Sequence, residues 1–271
     1  MKMKEIEFHS GNLLLRGELY TPDRLPSPAI LVCHAMHRQG FRWLPLYRIF
    51  ARQAAERGFA CLLFDFRGCG ISEGEFDYGW GEQHDAKAAF EFLLTQTQVD
   101  GASIFLVGRS LGGTIAVYSL VDDSRVKGYA LWATPPDHHQ NIKSFIERTW
   151  GKLGYVFFLL FAYADRFYNV TRVMKLDLFG LNLRPKDVRR KLMALSGARL
   201  ISRKSHPPIL LLIGEEDDFV SLSEAKSYQK SIPGRKRLII LPETGHTFKG
   251  AEEKVASITL DWFEELLSSR W

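Results

Sequence analysis

Cysteine is scarce, with three in 271 residues, so a disulfide scaffold is excluded. Cys33 and Cys61 fall inside apolar, strand-like runs and Cys69 in a glycine-rich stretch, which reads as reduced thiols in a cytoplasmic protein. A nucleophilic cysteine is the minor alternative, since buried free thiols usually just fill space. Long apolar runs are missing too. The longest, "LGYVFFLLFAYA" (153–164), falls well short of the roughly 20 residues a spanning helix needs. The opening "MKMKEIEFHSGNLLLRGELY" has no signal-peptide core and no small-residue cleavage site. Charge is not concentrated in blocks, the net value is a mild +5, and no nucleic-acid-binding motif accompanies it, so no nucleic-acid partner is expected. No histidine and carboxylate group has metal-ligand spacing, so neither metal nor cofactor is expected. Internal repeats and low-complexity segments are absent.

What is present is an alternation. A hairpin is expected over 4–20, turning at Gly11-Asn12. "AILVCH", "FACLLFDF", "ASIFLVG", "VKGYALWA", "PILLLIG" and "RLIILP" are apolar runs without polar interruption, as expected for strands covered on both faces. Helix-compatible segments separate them, near 45–57, 82–96, 111–121, 222–231 and 251–269. Strands alternating with helices define an α/β fold, here a mostly parallel eight-stranded sheet flanked by helices, with the first two strands as an antiparallel edge.

Between about Pro135 and His206 the alternation stops. That stretch holds no buried-strand run and is rich in aromatic and basic residues. We read residues 1–134 and 206–271 as the core and 135–205 as a helical cap insertion. Between 141 and 204 fourteen Lys and Arg stand against Glu147, Asp165, Asp177 and Asp187, a surplus hidden in the whole-chain average. The surplus fits weak association with an anionic surface or an anionic substrate, and fits a solvated face equally well. The aromatic run "WGKLGYVFFLLFAYADRFYNV" either lines an acyl pocket or packs the insertion on the core, the second being preferred.

"VGRSLGG" (107–113) places Ser110 in the Gly108-x-Ser110-x-Gly112 pattern of a nucleophile elbow, with the required strand before it and helix after it. A serine hydroxyl needs a base, and of the eight histidines His246, in "PETGHTF", follows the last strand. A histidine base needs an acid to fix its tautomer. "GEEDDFV" supplies Asp217, with Asp218 and, more weakly, Asp137 as alternatives. His34 is expected to brace its own loop, and Asp65 and Arg67 to brace the loop after the "FACLLFDF" strand. His37, His84, His138 and His139 read as surface or pocket-rim residues, and Arg109 is given no role.

"LVCHAMHRQG", "FDFRGCGISEG", "VGRSLGG", "GEEDDFV" and "ETGHTF" together resemble the α/β-hydrolase superfamily along the whole chain, in the branch of small carboxylesterases, serine aminopeptidase-like and dienelactone-hydrolase-like proteins. The resemblance implies an α/β-hydrolase fold, a Ser110–Asp217–His246 triad, and an oxyanion hole made by the backbone N–H groups of Met36 and Leu111. Ala35 departs from the family's usual glycine. The expected activity is hydrolysis of a small-molecule acyl ester through an acyl-enzyme, with an acyl thioester substrate or acyl transfer as the alternative. A non-catalytic binding protein on the same fold is a further one. A histidine base predicts activity rising through about pH 6 to 7.

Overall fold

A computed structural model describes residues 1–168 and 176–268, without the side chains of 165–168 and 176–178. Arg166, Arg172, Lys175, Asp165 and Asp177 of the charge reading therefore lie outside the described side chains. The main sheet has eight strands, taken here in chain order: β1 (Lys2–Ser10), β2 (Leu13–Thr21), β3 (Ser27–Cys33), β4 (Ala60–Phe64), β5 (Val99–Arg109), β6 (Val126–Trp132), and, after the hairpin β7 (Leu176–Leu178) and β8 (Leu181–Leu183), β9 (Ile209–Gly214) and β10 (Lys236–Leu241). Their spatial order is β1-β2-β4-β3-β5-β6-β9-β10. Pairing is parallel from β4 to β10 and antiparallel for β1 with β2 and β2 with β4.

The uninterrupted apolar runs follow from the two covered faces. In β3 Leu31 and Cys33 enter one core while Ile30 and Val32 enter the other; β4 divides Leu62 and Phe64 from Cys61 and Leu63 in the same way. One core is closed by α2 (Gly81–Leu94) and α3 (Leu111–Leu120), the other by α1 (Pro45–Glu56) and α8 (Glu252–Ser268). Each large apolar side chain buried this way contributes about 1.5–3 kcal/mol before entropy is counted.

The stretch between β6 and β9 holds α4 (His138–Tyr168), interrupted at Gly151 (φ 74°), then the β7–β8 hairpin, α5 (Pro185–Arg190) and α6 (Gly197–Ile201). The hairpin departs from the all-helical expectation for this stretch. It turns at Phe179 and Gly180, both with positive φ, the backbone that suits a two-residue hairpin loop.

Two buried histidines brace the carboxyl end of the sheet. Phe66 N–H donates to His34 Nε2 (3.0 Å), so the neutral Nδ1–H form donates to the Ala35 carbonyl (2.6 Å). His138 is buried, not at the surface, and bonds Thr114 Oγ1 through Nε2 (2.9 Å). Burial holds both at about 4, below the ordinary 6.5. The unfolded chain then binds the extra protons, so stability should fall as pH drops from about 6.5 to 4, by about 3 kcal/mol per histidine at the bottom. Urea unfolding at pH 7 and pH 4.5 measures this; a His138→Gln variant should show a shallower fall. A slope unchanged in that variant would contradict the assignment for His138.

Asp65 and Arg67 brace their loop, but with separate partners. Asp65 pairs with Arg42 and accepts from Phe41 and Ile71 N–H, whereas Arg67 grips Asp85 through two nitrogens (2.9 and 2.7 Å).

Candidate active site

The connections leaving β3, β5, β9 and β10 all emerge at the carboxyl end of the sheet. Because β4 and β5 flank β3 on opposite sides, the order in which strands are added to the sheet reverses there and leaves a crevice outside their carboxyl ends. Ser110 follows β5 with φ 52° and ψ −124°, a left-handed backbone that costs a non-glycine residue free energy and marks a constrained turn. The glycines around it are required by space. A Cβ on Gly108 would lie 2.3 Å from Gly113 Cα, and one on Gly112 2.2 Å from the Cys33 carbonyl oxygen. The turn is pinned by Ser110 N–H donating to the Trp132 carbonyl (2.8 Å).

Asp217 follows β9. Its Oδ1 accepts from Phe219 N–H (2.9 Å) and Val220 N–H (2.7 Å), and its carboxylate takes His246 Nδ1 at 2.9 Å. The Asp217 side chain is inaccessible and that of His246 is 13% exposed. Asp218 is exposed, and Asp137 instead receives Gln140 N–H. Burial pulls the His246 imidazole below its ordinary pKa; the Asp217 hydrogen bond opposes this and the positive charge of Arg109 adds to it. Phe219 lies against the ring, centroids 5.2 Å apart.

Ser110, His246, Met36 and Leu111 border one cavity of about 470 Å³, within the usual range for small-molecule sites. Ser110 and His246 share its wall without a hydrogen bond between their side chains. The backbone N–H groups of Met36 and Leu111 donate no hydrogen bond within the described residues. Leu111 opens α3, where such donors are left over. Ala35 N–H instead donates to the Tyr47 hydroxyl (3.0 Å). Its φ is not in the left-handed region, so alanine fits where a glycine had been expected. Apart from Arg109 and His138 the remaining wall is mostly aromatic and aliphatic, drawn from α4 and α5 as well as from the loops at the carboxyl end of the sheet.

Arg109 is the residue that sequence reasoning missed. It is fully buried beside the nucleophile, donates from Nη2 to the His246 carbonyl (2.8 Å) and lies 5.4 Å from the Trp43 ring centroid. Trp43 in turn stacks on His37 at 4.1 Å. Arg109 thus ties the histidine loop to the Met36 loop. Nothing in the sequence signals this, because the role depends on what covers the side chain. His138, too, is part of the cavity wall. His84 is exposed, and His139 bonds the Tyr155 hydroxyl (3.0 Å). The three cysteines are buried, and burial raises their pKa values, keeping them as thiols. Among the described residues no group of three or more His, Cys, Asp or Glu could hold a metal ion, and no helix is long and apolar enough to cross a membrane.

With a mostly parallel eight-stranded sheet, an elbow serine and a histidine–aspartate pair at its carboxyl end, the class is that of the α/β hydrolases. Residues 30–254 match the Alpha/beta hydrolase family, and the chain belongs to it. Among curated relatives, the quorum-quenching protein AidA of Acinetobacter baumannii is 28% identical over 127 residues, 45% of this chain and 40% of that one. The chain spans about half the length of the curated relatives it matches. Est1E from Butyrivibrio proteoclasticus, solved with ferulic acid bound, is similar with a TM-score of 0.74 at 17% identity, covering 97% of this chain and 100% of that one. The Pyrococcus furiosus esterase Pf2001 gives 0.65 at 16% identity, over 98% of this chain and 88% of that one. At such identities the likeness concerns the fold.

Proposed function

We propose that the protein is a serine hydrolase that cleaves carboxylic esters with apolar acyl groups. The observation that carries this reading is the Asp217–His246 hydrogen bond beside a serine held at a strained elbow in the wall of the same cavity. Ser110 Oγ attacks the ester carbonyl as His246 Nε2 takes its proton, and Asp217 stabilises the imidazolium. The oxyanion forms against the N–H groups of Met36 and Leu111, each such donor contributing about 3 kcal/mol. Collapse expels the alcohol, protonated by His246. A water then attacks the acyl-enzyme, His246 again taking the proton, and the acid leaves. The absence of a Ser110–His246 hydrogen bond is compatible with this, since such contacts often tighten only when substrate binds.

The insertion acts as a cap over the cavity in this reading, with core residues 1–134 and 206–271 beneath 135–205. The apolar wall of the cavity also fits a second reading, an acyl thioester as the substrate or acyl donor, because the same acyl chain would fill it. Comparing p-nitrophenyl esters of increasing chain length with acyl-CoA thioesters separates the two. Rates rising with ester chain length and poor thioester turnover support the first; the reverse order overturns it.

The pH profile gives a further check. His246 must be neutral to accept a proton, and its pKa is lowered chiefly by burial. The rise of kcat/KM with pH should therefore have its midpoint below the ordinary 6.5. An Arg109→Met variant loses a positive charge that favours the neutral ring, so its midpoint should move to higher pH. A midpoint above 7 in the wild type would sink this assignment of the base.

A further inference from the structure

Past Lys152, α4 is apolar all round as far as Ala164. Tyr155, Phe158 and Ala162 face the core, while Leu153 (72% exposed), Val156, Phe157, Leu160 (58%) and Phe161 face outward, with Trp150 beside them. The core-packing expectation holds for the first face only. A helix apolar on every side is ordinarily covered on every side, and a contiguous exposed patch of this kind marks an interaction surface. Three observations say what covers it.

First, the outer face is the rim of the cavity: Trp150, Phe157 and Phe161 are exposed and also line it. Whatever covers the patch therefore meets the cavity entrance. Second, the flank is basic. Lys152 is exposed on the same helix, and α5, which packs against α4, carries exposed Arg189 and Arg190 beside a cleft that reaches Ala162 and Tyr163. The acids described on α4 and α5 themselves, Glu147 and Asp187, are both partly buried. Third, the charge selects among occupants. A second copy docking on the same face would bring like-charged flanks together, whereas anionic headgroups would neutralise them.

We propose that the outer face of α4 docks on an anionic lipid surface, inserting Leu153, Val156 and Leu160 while Arg189 and Arg190 meet headgroups. A helix with a large apolar face and a cationic border lies in the interface plane without crossing it. Acyl substrates dissolved in the lipid would then reach the cavity between Trp150, Phe157 and Phe161 without passing through water. This deepens the hydrolase reading by naming the source of its substrate, but docking is measured without turnover.

The test is flotation of the full chain with phosphatidylcholine vesicles, with and without phosphatidylglycerol, at low and high salt. The expected result is flotation only with the anionic vesicles, weakened by salt. A Leu153→Asp/Leu160→Asp pair and an Arg189→Glu/Arg190→Glu pair should each lower partitioning at least tenfold. None of these four residues is placed in the catalytic machinery or the cavity wall, so soluble ester turnover should stay within about twofold. Circular dichroism checks the fold of both pairs, and the arginine pair carries the test if the first fails to fold. Equal flotation with neutral vesicles overturns the proposal. So does no flotation, whether the chain is monomeric or is a dimer that the Leu153→Asp/Leu160→Asp pair dissolves. Docking without ester turnover would leave this inference standing and remove the hydrolase reading instead.

Discussion

Replacing Ser110 by Ala is expected to abolish labelling by a fluorophosphonate probe and to lower ester turnover by at least about 10⁴-fold. The probe forms a bond to an activated serine oxygen, and the variant has none. What little turnover survives would come from positioning and from the proposed Met36 and Leu111 donors stabilising the oxyanion as water attacks the ester carbonyl directly. The size of the effect should not come from misfolding. Ser110 sits at φ 52°, and alanine bears the same Cβ in the same backbone conformation, so the strain of the elbow is nearly unchanged. The Ser110 N–H bond to Trp132 is made by the backbone and persists. Thermal unfolding of the variant should match the wild type within about 1 kcal/mol. Equal labelling of both proteins would mean that another nucleophile reacts, and a wild type that does not label would leave a non-catalytic binding protein as the better reading.

The elbow could be read from sequence because its requirements are local. A sheet covered on both faces demands unbroken apolar strands, and the turn after β5 brings Gly108 and Gly112 against backbone where no Cβ fits. Both leave plain marks in the order of residues. The acid reads as Asp217, with Asp218 and more weakly Asp137 as alternatives, and geometry sets them apart: the first is enclosed by two backbone N–H groups and the imidazole, the second is exposed, and the third receives Gln140 N–H. Strand order was not legible, since β2 pairs with β4 and not with β3 through contacts distant in the chain. The β7–β8 hairpin did leave a signal, the strict alternation of "LDLFGLNL" about Phe179-Gly180, which the surrounding helix-compatible sequence obscured. Arg109 and the outer face of α4 belong to a different class. The first depends on being covered and the second on being left uncovered, and neither condition is written in residue type or spacing.

The same enclosure of Asp217 predicts what Asp217→Asn will do. In the wild type Oδ1 accepts two backbone N–H groups while the carboxylate also accepts the His246 Nδ1–H. An asparagine keeps the two backbone bonds only if its carbonyl oxygen takes the Oδ1 position. Its NH₂ group is then turned toward His246 Nδ1, which must become an acceptor. The proton of the neutral ring moves to Nε2, the nitrogen that should take the serine proton, and the base is lost although every heavy atom stays in place. Turnover should fall by about 10⁴-fold, the magnitude expected of a wrong tautomer, with little change in KM because the apolar cavity wall is untouched. Asp218→Asn, which changes an exposed carboxylate without this geometry, should retain nearly full activity. Measuring kcat and KM for both variants on one p-nitrophenyl ester decides the matter. Should the two substitutions cost the same, or Asp218→Asn cost more, Asp217 would not be the residue that orients His246.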